Sequence, residues 1–268
     1  MKAETLGHQS RRGLFGWRRM LPLLAGLIVV TLPAHSQGGG PGPVGKPSTA
    51  KAAAPFDITG YWVSVITQNW RLRMVTPPKG YYMGIPMTPA AKQVADQWDP
   101  AKEEALGNQC KGYGAALIMT LPERLRITWQ DDSTLRIDVD AGRQTRLFRF
   151  GNPKSIDGSA TLQGESIAAW VPRRGPGIPP STPAARYLEV TTTHMLPGYL
   201  RKNGVPYSAN AILTEYYDLI HEPDGEQWMI VTTKVEDPLY LEDPLILDAQ
   251  FKRQANSSSW DPTPCSVK

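Results

Sequence analysis

Hydrophobic and polar residues alternate along most of the chain after residue 55. In residues 124–129, 135–140 and 143–150, apolar side chains are interleaved with arginine, threonine and aspartate. Apolar residues at every second position are typical of a β-strand that packs one face against a core. Turn residues at 130–133 and 141–142 separate the three segments, and such short connections join strands as hairpins. The pattern predicts a three-stranded antiparallel meander.

Five further segments are predicted strands because they are rich in β-branched and aromatic residues. The turn Pro223–Gly225 separates two of them. They span residues 56–65, 187–194, 211–221, 227–236 and 245–252.

Only one segment has helical character. Residues 88–106 begin with Thr88-Pro89 and are interrupted by Asp99-Pro100, which predicts a short helix that stops and resumes. Residues 172–183 are rich in proline and arginine and predict a long exposed loop.

Eight to ten strands with short turns and one helical segment indicate a mostly β protein with a single antiparallel sheet. Such a sheet must cover its edges, either by closing into a β-barrel or by stacking as a β-sandwich. We favour the barrel and keep the sandwich as the alternative. A barrel of this size has an interior wide enough for a small ligand.

The first 36 residues have the order of an export signal. Arginines precede the apolar run Met20–Pro33, and Ala34-His35-Ser36 offers small residues for cleavage. The twin-arginine and general secretory routes both remain open. We predict a periplasmic or secreted protein with a signal peptide at 1–36, a flexible Gly/Pro/Ala linker at 37–55 and one domain at 56–268.

Removal of the signal changes the charge. Residues 37–268 hold 24 Lys and Arg against 24 Asp and Glu. A nucleic-acid-binding face needs a surplus of positive charge, so no nucleic-acid partner is expected. No second apolar run approaches the length of a membrane span. The oligomeric state stays open.

Cys110 and Cys265 both lie beyond the signal. In an oxidising compartment this pair predicts a disulfide that closes a very long loop; two free thiols are the alternative. No zinc-binding spacing, phosphate-binding glycine loop or dinucleotide motif occurs. We therefore expect no metal and no cofactor.

Several stretches resemble a family of uncharacterised exported proteins of Gram-negative bacteria. They are Asp57–Trp62, Ile127–Asp132, Thr192–Ser208, Leu213–Tyr217 and Glu236–Pro238. The resemblance covers most of residues 56–265 and implies a calycin-like (lipocalin-like) barrel. It implies no reaction.

One pair of residues is a candidate for catalysis. His194 shares a strand face with Val190, and Glu215 shares one with Leu213 and Tyr217. If both faces point into the barrel, the imidazole and carboxylate could form an acid–base pair. The alternatives are a structural hydrogen bond at a strand end, or no contact.

Other residues are candidates for ligand binding. Aromatic side chains would line any cavity, and Arg71 or Arg73 would orient a polar end of the ligand. The predicted set is Trp62, Arg71, Arg73, Trp129, Tyr199, Tyr207 and Tyr217.

Three functions are compatible with these features. The first, which we favour, is a periplasmic β-barrel protein that binds a small, mostly apolar or amphipathic molecule. The second is a cavity enzyme, an isomerase or hydrolase, that uses His194 and Glu215. The third is an envelope scaffold with a packed barrel and no ligand.

Overall fold

Nine strands close into a barrel within residues 49–151, 158–173 and 186–267, which are the residues that the computed structural model of the chain describes. A separate two-stranded hairpin accompanies the barrel. The strands are β1 Gly60–Ser64, β2 Arg124–Asp131, β3 Thr134–Val139, β4 Gln144–Phe150, β5 Glu165–Pro172, β6 Arg186–Thr193, β7 Gly198–Arg201, β8 Val205–Tyr207, β9 Ile212–His221, β10 Gln227–Glu236 and β11 Leu245–Gln254.

The order around the barrel is β1-β11-β10-β9-β6-β5-β4-β3-β2, and β2 pairs with β1 to close it. The predicted closed barrel and the β2–β3–β4 meander are therefore confirmed. The expectation of a purely antiparallel sheet needs one correction, because β4 and β5 are parallel. The chain leaves β4 at one end of the barrel and enters β5 at the other, so the two strands run in the same direction.

Four short α-helices and one 3₁₀ helix lie between β1 and β2. The two predicted helical pieces are confirmed as α2 (Pro89–Asp96) and α3 (Pro100–Ala105), and the side chains of Thr88 and Asp99 cap their N-termini. The other three helices were not predicted, since segments of four or five residues have no measurable periodicity. The bounds are α1 Trp70–Arg73, α2 Pro89–Asp96, α3 Pro100–Ala105, 3₁₀ helix Gln109–Tyr113 and α4 Ala115–Ile118.

Alternate residues of each barrel strand point inward and fill the interior. The fully buried side chains of Trp62, Ile137, Phe148 and Tyr217 come from four different strands and belong to one core cluster. Phe148 and Tyr217 meet edge to face with ring centroids 5.6 Å apart. The centre of the barrel is thus a packed core.

The buried segment 114–121 closes one end of the barrel, which we call the plugged end. Leu117, Ile118 and Met119 belong to the barrel core, whereas Ala115 and Ala116 belong to a second cluster. That second cluster is built with α2 and the β7–β8 hairpin. The segment 114–121 therefore connects the barrel core to the elements outside it.

An aromatic layer covers the opposite end. Phe150 lies between Trp129 and Trp170, with centroid separations of 5.5 and 5.3 Å. Phe56 meets Trp170 edge to face, and the Trp170 indole donates a hydrogen bond to the carbonyl of Ala50. Part of the predicted linker thus contacts the barrel.

The C-terminal tail returns along the outside of the barrel to the plugged end. Trp260 packs on Tyr61, Thr263 forms a β-bridge with Ala141, and Cys265 is bonded to Cys110. The predicted disulfide is confirmed. It joins the tail to the 3₁₀ helix, 155 residues upstream.

Some predictions fall outside the described residues: the signal at 1–36, linker residues 37–48 and most of the loop at 172–183. In the part of the chain that the structure describes, none of the helices has the length and apolar character needed to cross a bilayer.

Candidate functional site

An ion pair lies inside the barrel. Arg146 from β4 and Glu215 from β9 have fully buried side chains. The guanidinium donates two hydrogen bonds to the carboxylate, Nη1 to Oε1 at 2.8 Å and Nη2 to Oε2 at 2.5 Å. Such bidentate geometry is the strongest form of a charged pair.

Two neutral side chains also bond to this pair, whereas the buried Nε of Arg146 has no hydrogen-bond partner within the described residues. Tyr217 Oη donates to Glu215 Oε1 at 3.2 Å, and Arg146 Nη2 donates to Thr192 Oγ1 at 3.4 Å. Burial opposes the charge of Arg146, but Glu215 and Tyr217 outweigh it and raise the pKa of Arg146. Burial and Glu215 also raise the pKa of Tyr217 well above its ordinary value, so its hydroxyl keeps its proton.

A second buried carboxyl group belongs to Glu123, just before β2. The residue is 3% exposed, and neither side-chain oxygen has a hydrogen-bond partner among the described residues. Burial, and next the nearby Asp140, raise the pKa of Glu123 well above its ordinary value, although Arg146 and Arg73 oppose the shift. Glu123 is therefore a buried acid that retains its proton above the usual range.

The structure does not bring His194 and Glu215 together. β6 ends at Thr193, and His194 adopts a left-handed backbone conformation with φ of 55°. This breaks the alternation, so its side chain is 68% exposed and lies near Thr193 and Glu165. Val190 is the β6 residue in register with Glu215, and His194 lies four positions further on, roughly 13 Å along a strand.

A cavity of about 270 Å³ lies at the plugged end. Its walls come from the loop after β1, the segment 114–121, the β7–β8 hairpin and the start of β11. Apolar side chains supply much of the lining, including Leu72, Ile85, Leu117, Leu121, Leu200 and Leu245.

Arg73 stands between this cavity and a larger, more open hollow of about 690 Å³. Its Nε donates to the carbonyl of Thr120 at 2.6 Å, which fixes the side chain against the plug. Its buried Nη2 has no hydrogen-bond partner within the described part of the chain. Burial lowers the pKa of Arg73, and Glu123 opposes that shift.

The charges around the two hollows are unequal. Arg73, Lys79, Arg201 and Lys202 line one or both of them, whereas Asp248 is the one carboxylate among the lining residues. Arg201 and Lys202 are held in place: Arg201 donates to the carbonyls of Tyr81 and Met83, and Lys202 Nζ donates to Tyr113 Oη. The lining thus has a net positive charge.

The seven predicted ligand-binding residues do not form one site. Arg73 lines both hollows at the plugged end, and Tyr199 lines a small crevice beside the 3₁₀ helix. Trp129 lines a shallow hollow at the opposite end. Trp62 and Tyr217 fill the barrel, Tyr207 belongs to the second cluster, and Arg71 is exposed on α1.

The sequence pattern does indicate the buried pair of Arg146 and Glu215, although we did not predict it. Arg146 has the same parity as Phe148 and Phe150 in β4, so it shares the inward face. Glu215 has the parity of the inward Leu213 and Tyr217 in β9. Two opposite charges on inward faces predict a buried pair. Glu123 gave no such signal, because it lies outside any alternating segment.

The described residues contain no group of three or more His, Cys, Asp or Glu side chains arranged to hold a metal ion. Comparison with known proteins finds no matching family model, no matching curated protein and no matching solved structure.

Proposed function

We propose that this protein is an exported β-barrel protein, periplasmic or secreted, that binds a small, mostly apolar or amphipathic molecule at the plugged end. The observation that carries the proposal is the 270 Å³ cavity with an apolar wall and Arg73 at its boundary. Small-molecule sites usually combine such a wall with a few polar groups that orient the ligand.

The nature of the ligand follows from the lining. Leucine and isoleucine side chains favour a hydrocarbon or aromatic body. The guanidinium of Arg73 is fixed at Nε and is not part of an ion pair within the described residues. We infer that an anionic or strongly polar end of the ligand lies beside this guanidinium, because charge-assisted hydrogen bonds are the stronger ones.

Export is supported by two features. Residues 1–36 have the composition and order of a signal peptide. The disulfide between Cys110 and Cys265 suits an oxidising compartment. The resemblance to exported proteins of Gram-negative bacteria also favours export.

A fluorescent probe with an apolar body and an anionic group tests ligand binding. Anilinonaphthalene sulfonate should bind with a defined stoichiometry. Thr76→Trp should weaken this binding strongly, because Thr76 lines both hollows and an indole there would narrow them. The matched control is Thr214→Trp, since Thr214 lies on the outward face of β9. Equal binding by both variants would reject this site.

A ligand-free scaffold is the second candidate. It is favoured by the packed centre of the barrel, where side chains such as Trp62 and Phe148 are fully buried. Native mass spectrometry of protein purified from its own cell envelope separates the two candidates. A retained small molecule supports ligand binding, whereas the bare protein mass together with no probe binding supports the scaffold.

A further inference from the structure

Residues 65–84, which we call the rim loop, expose an unusual amount of apolar surface at the plugged end. Trp70 is 56% exposed, Met74 55%, Val75 65% and Met83 68%. Methionine and valine are side chains that proteins normally bury, and tryptophan is on average highly buried. A cluster of this kind on a surface marks an interaction site.

The local structure arranges exposed side chains of the rim loop in two pairs. Trp70 and Met74 are four residues apart across the single turn of α1, and the Met74 amide donates to the Trp70 carbonyl at 2.8 Å. Residues at this spacing lie on the same side of a helix. Further along, Tyr81 Oη donates to the Met83 sulfur at 3.6 Å.

The β7–β8 hairpin fixes the position of the rim loop. Arg201 donates to the carbonyls of Tyr81 and Met83. Asn203, which is fully buried, donates to the carbonyls of Pro78 and Tyr81 at 3.1 and 3.0 Å. These bonds anchor the rim loop at residues 78–83, and the bond from Arg73 to the Thr120 carbonyl anchors it beside α1.

The rim loop is also positively charged. No aspartate or glutamate occurs from Ile58 to Ala95, whereas Arg71, Arg73 and Lys79 lie within the loop. The Arg71 guanidinium stacks over the Trp70 ring at 5.2 Å. Within the described chain, no ion pair involves Arg71 or Lys79.

From this combination we propose that the rim loop binds the surface of an anionic lipid bilayer. Tryptophan is favoured at the boundary between lipid head groups and acyl chains, and exposed apolar side chains insert there. Lysine and arginine beside them are attracted to anionic head groups. The loop itself contains no acidic residue that would repel the head groups.

Membrane contact would have a consequence for the cavity. Leu72, Arg73 and Met83 line the 270 Å³ cavity, and Trp70 and Met74 flank them in sequence. Docking would therefore place the cavity next to the lipid surface, where amphipathic molecules concentrate. The docking proposal itself stands on the exposed surface and its charge, and does not depend on ligand binding.

Hydrogen–deuterium exchange of the full chain, with and without vesicles, tests the proposal at the level of the segment. Vesicles of phosphatidylcholine mixed with phosphatidylglycerol should slow exchange in residues 66–84. Vesicles of phosphatidylcholine alone should slow it much less. Because the measurement locates the contact, it separates binding by the rim loop from binding by the apolar residues near the N-terminus.

Substitutions identify the contribution of each kind of side chain. Trp70→Ala with Met74→Ala should lower vesicle affinity by about tenfold or more. Arg71→Gln with Lys79→Gln should lower vesicle affinity by about fivefold for each cation removed, and this loss should shrink as the salt concentration is raised. The matched control is Ile167→Ala, which removes a 47% exposed apolar side chain from the barrel wall.

Three results would overturn the proposal. The first is the absence of any protection of residues 66–84 by anionic vesicles. The second is an affinity of the Trp70 and Met74 variant equal to that of the Ile167 control. The third is a dimer in solution that the same variant dissociates, which would assign the surface to self-association. Thermal unfolding should be unchanged in all variants, because every substituted side chain is on the surface.

Discussion

The buried pair of Arg146 and Glu215 allows the sharpest quantitative prediction. Replacing one partner leaves the other charge in the barrel core without a counter-ion. Breaking a buried pair in this way costs about 3–5 kcal/mol. We therefore expect Arg146→Met and Glu215→Leu each to lower the free energy of unfolding by that amount.

The double variant should be more stable than either single variant. With both charges removed, no buried charge remains, and an apolar pair of similar size can replace an ion pair at little cost. A double-mutant cycle should then give a coupling energy of at least about 3 kcal/mol. Tyr217 and Thr192 each lose one hydrogen-bond partner in this variant, which limits the recovery.

Urea unfolding followed by tryptophan fluorescence, with the disulfide intact, measures all four free energies. The matched control is the solvent-facing, partly exposed pair of Lys234 and Glu236, whose charged atoms are 2.8 Å apart. Its cycle with Lys234→Gln and Glu236→Gln should give a coupling below about 1 kcal/mol. A coupling between Arg146 and Glu215 no larger than that of the control would refute this interpretation of the barrel core.

Three further predictions concern the disulfide, a close packing contact and a buried acid. Cys110→Ala with Cys265→Ala should lower the free energy of unfolding by up to about 5 kcal/mol, since the bond closes a loop of 155 residues. Gly114→Ala should be destabilising, because a Cβ atom would overlap Tyr207 Oη; Tyr207→Phe removes that oxygen, which has no partner among the described residues, and should rescue the variant. The pKa of Glu123 is raised in the folded state above the ordinary value of 4.5, so wild type should lose stability as pH rises above that value. Glu123→Gln has no carboxyl group to ionise at this position, so its stability relative to wild type should increase over the same pH range. Urea unfolding measures the first two effects, and its pH dependence measures the third.

Each of these predictions has a result that contradicts it. Wild type under reducing conditions should match the cysteine variant, so a large difference between them would count against the loop-closure account. Failure of Tyr207→Phe to restore Gly114→Ala would show that another contact limits that position. A constant stability difference between Glu123→Gln and wild type across the pH range would mean that Glu123 does not titrate differently in the folded and unfolded states.

Much of the barrel wall was predictable from local alternation. The meander of β2 to β4 and the strands β9 and β10 were correctly placed, because each has one buried face and short turns at its ends. β5 was missed, since Ala168 and Ala169 dilute its alternation. The parallel pairing of β4 with β5 was also missed, because pairing depends on how a distant connection returns to the barrel.

The candidate site was much less predictable. The alternation along the strands correctly predicted that Glu215 points into the barrel. It made the same prediction for His194, but the left-handed backbone at that residue turns the side chain towards solvent. Arg73 was selected as a possible ligand contact and does line the cavity, whereas Leu121, which also lines it, and the buried Glu123 were not selected. These residues come from loops and short helices, which have no period to analyse.

The sequence by itself determined that this chain is mostly β and which faces of most strands are apolar, because burial of alternate residues is a local property of a pleated strand. It also contained the cysteine pair that joins the tail to the 3₁₀ helix. Only the tertiary structure decided that the segment 114–121 plugs the barrel, that Arg146 meets Glu215, and that the cavity lies at the rim and not at the centre. These features depend on contacts between residues far apart in the chain, and such contacts exist only after the barrel has closed.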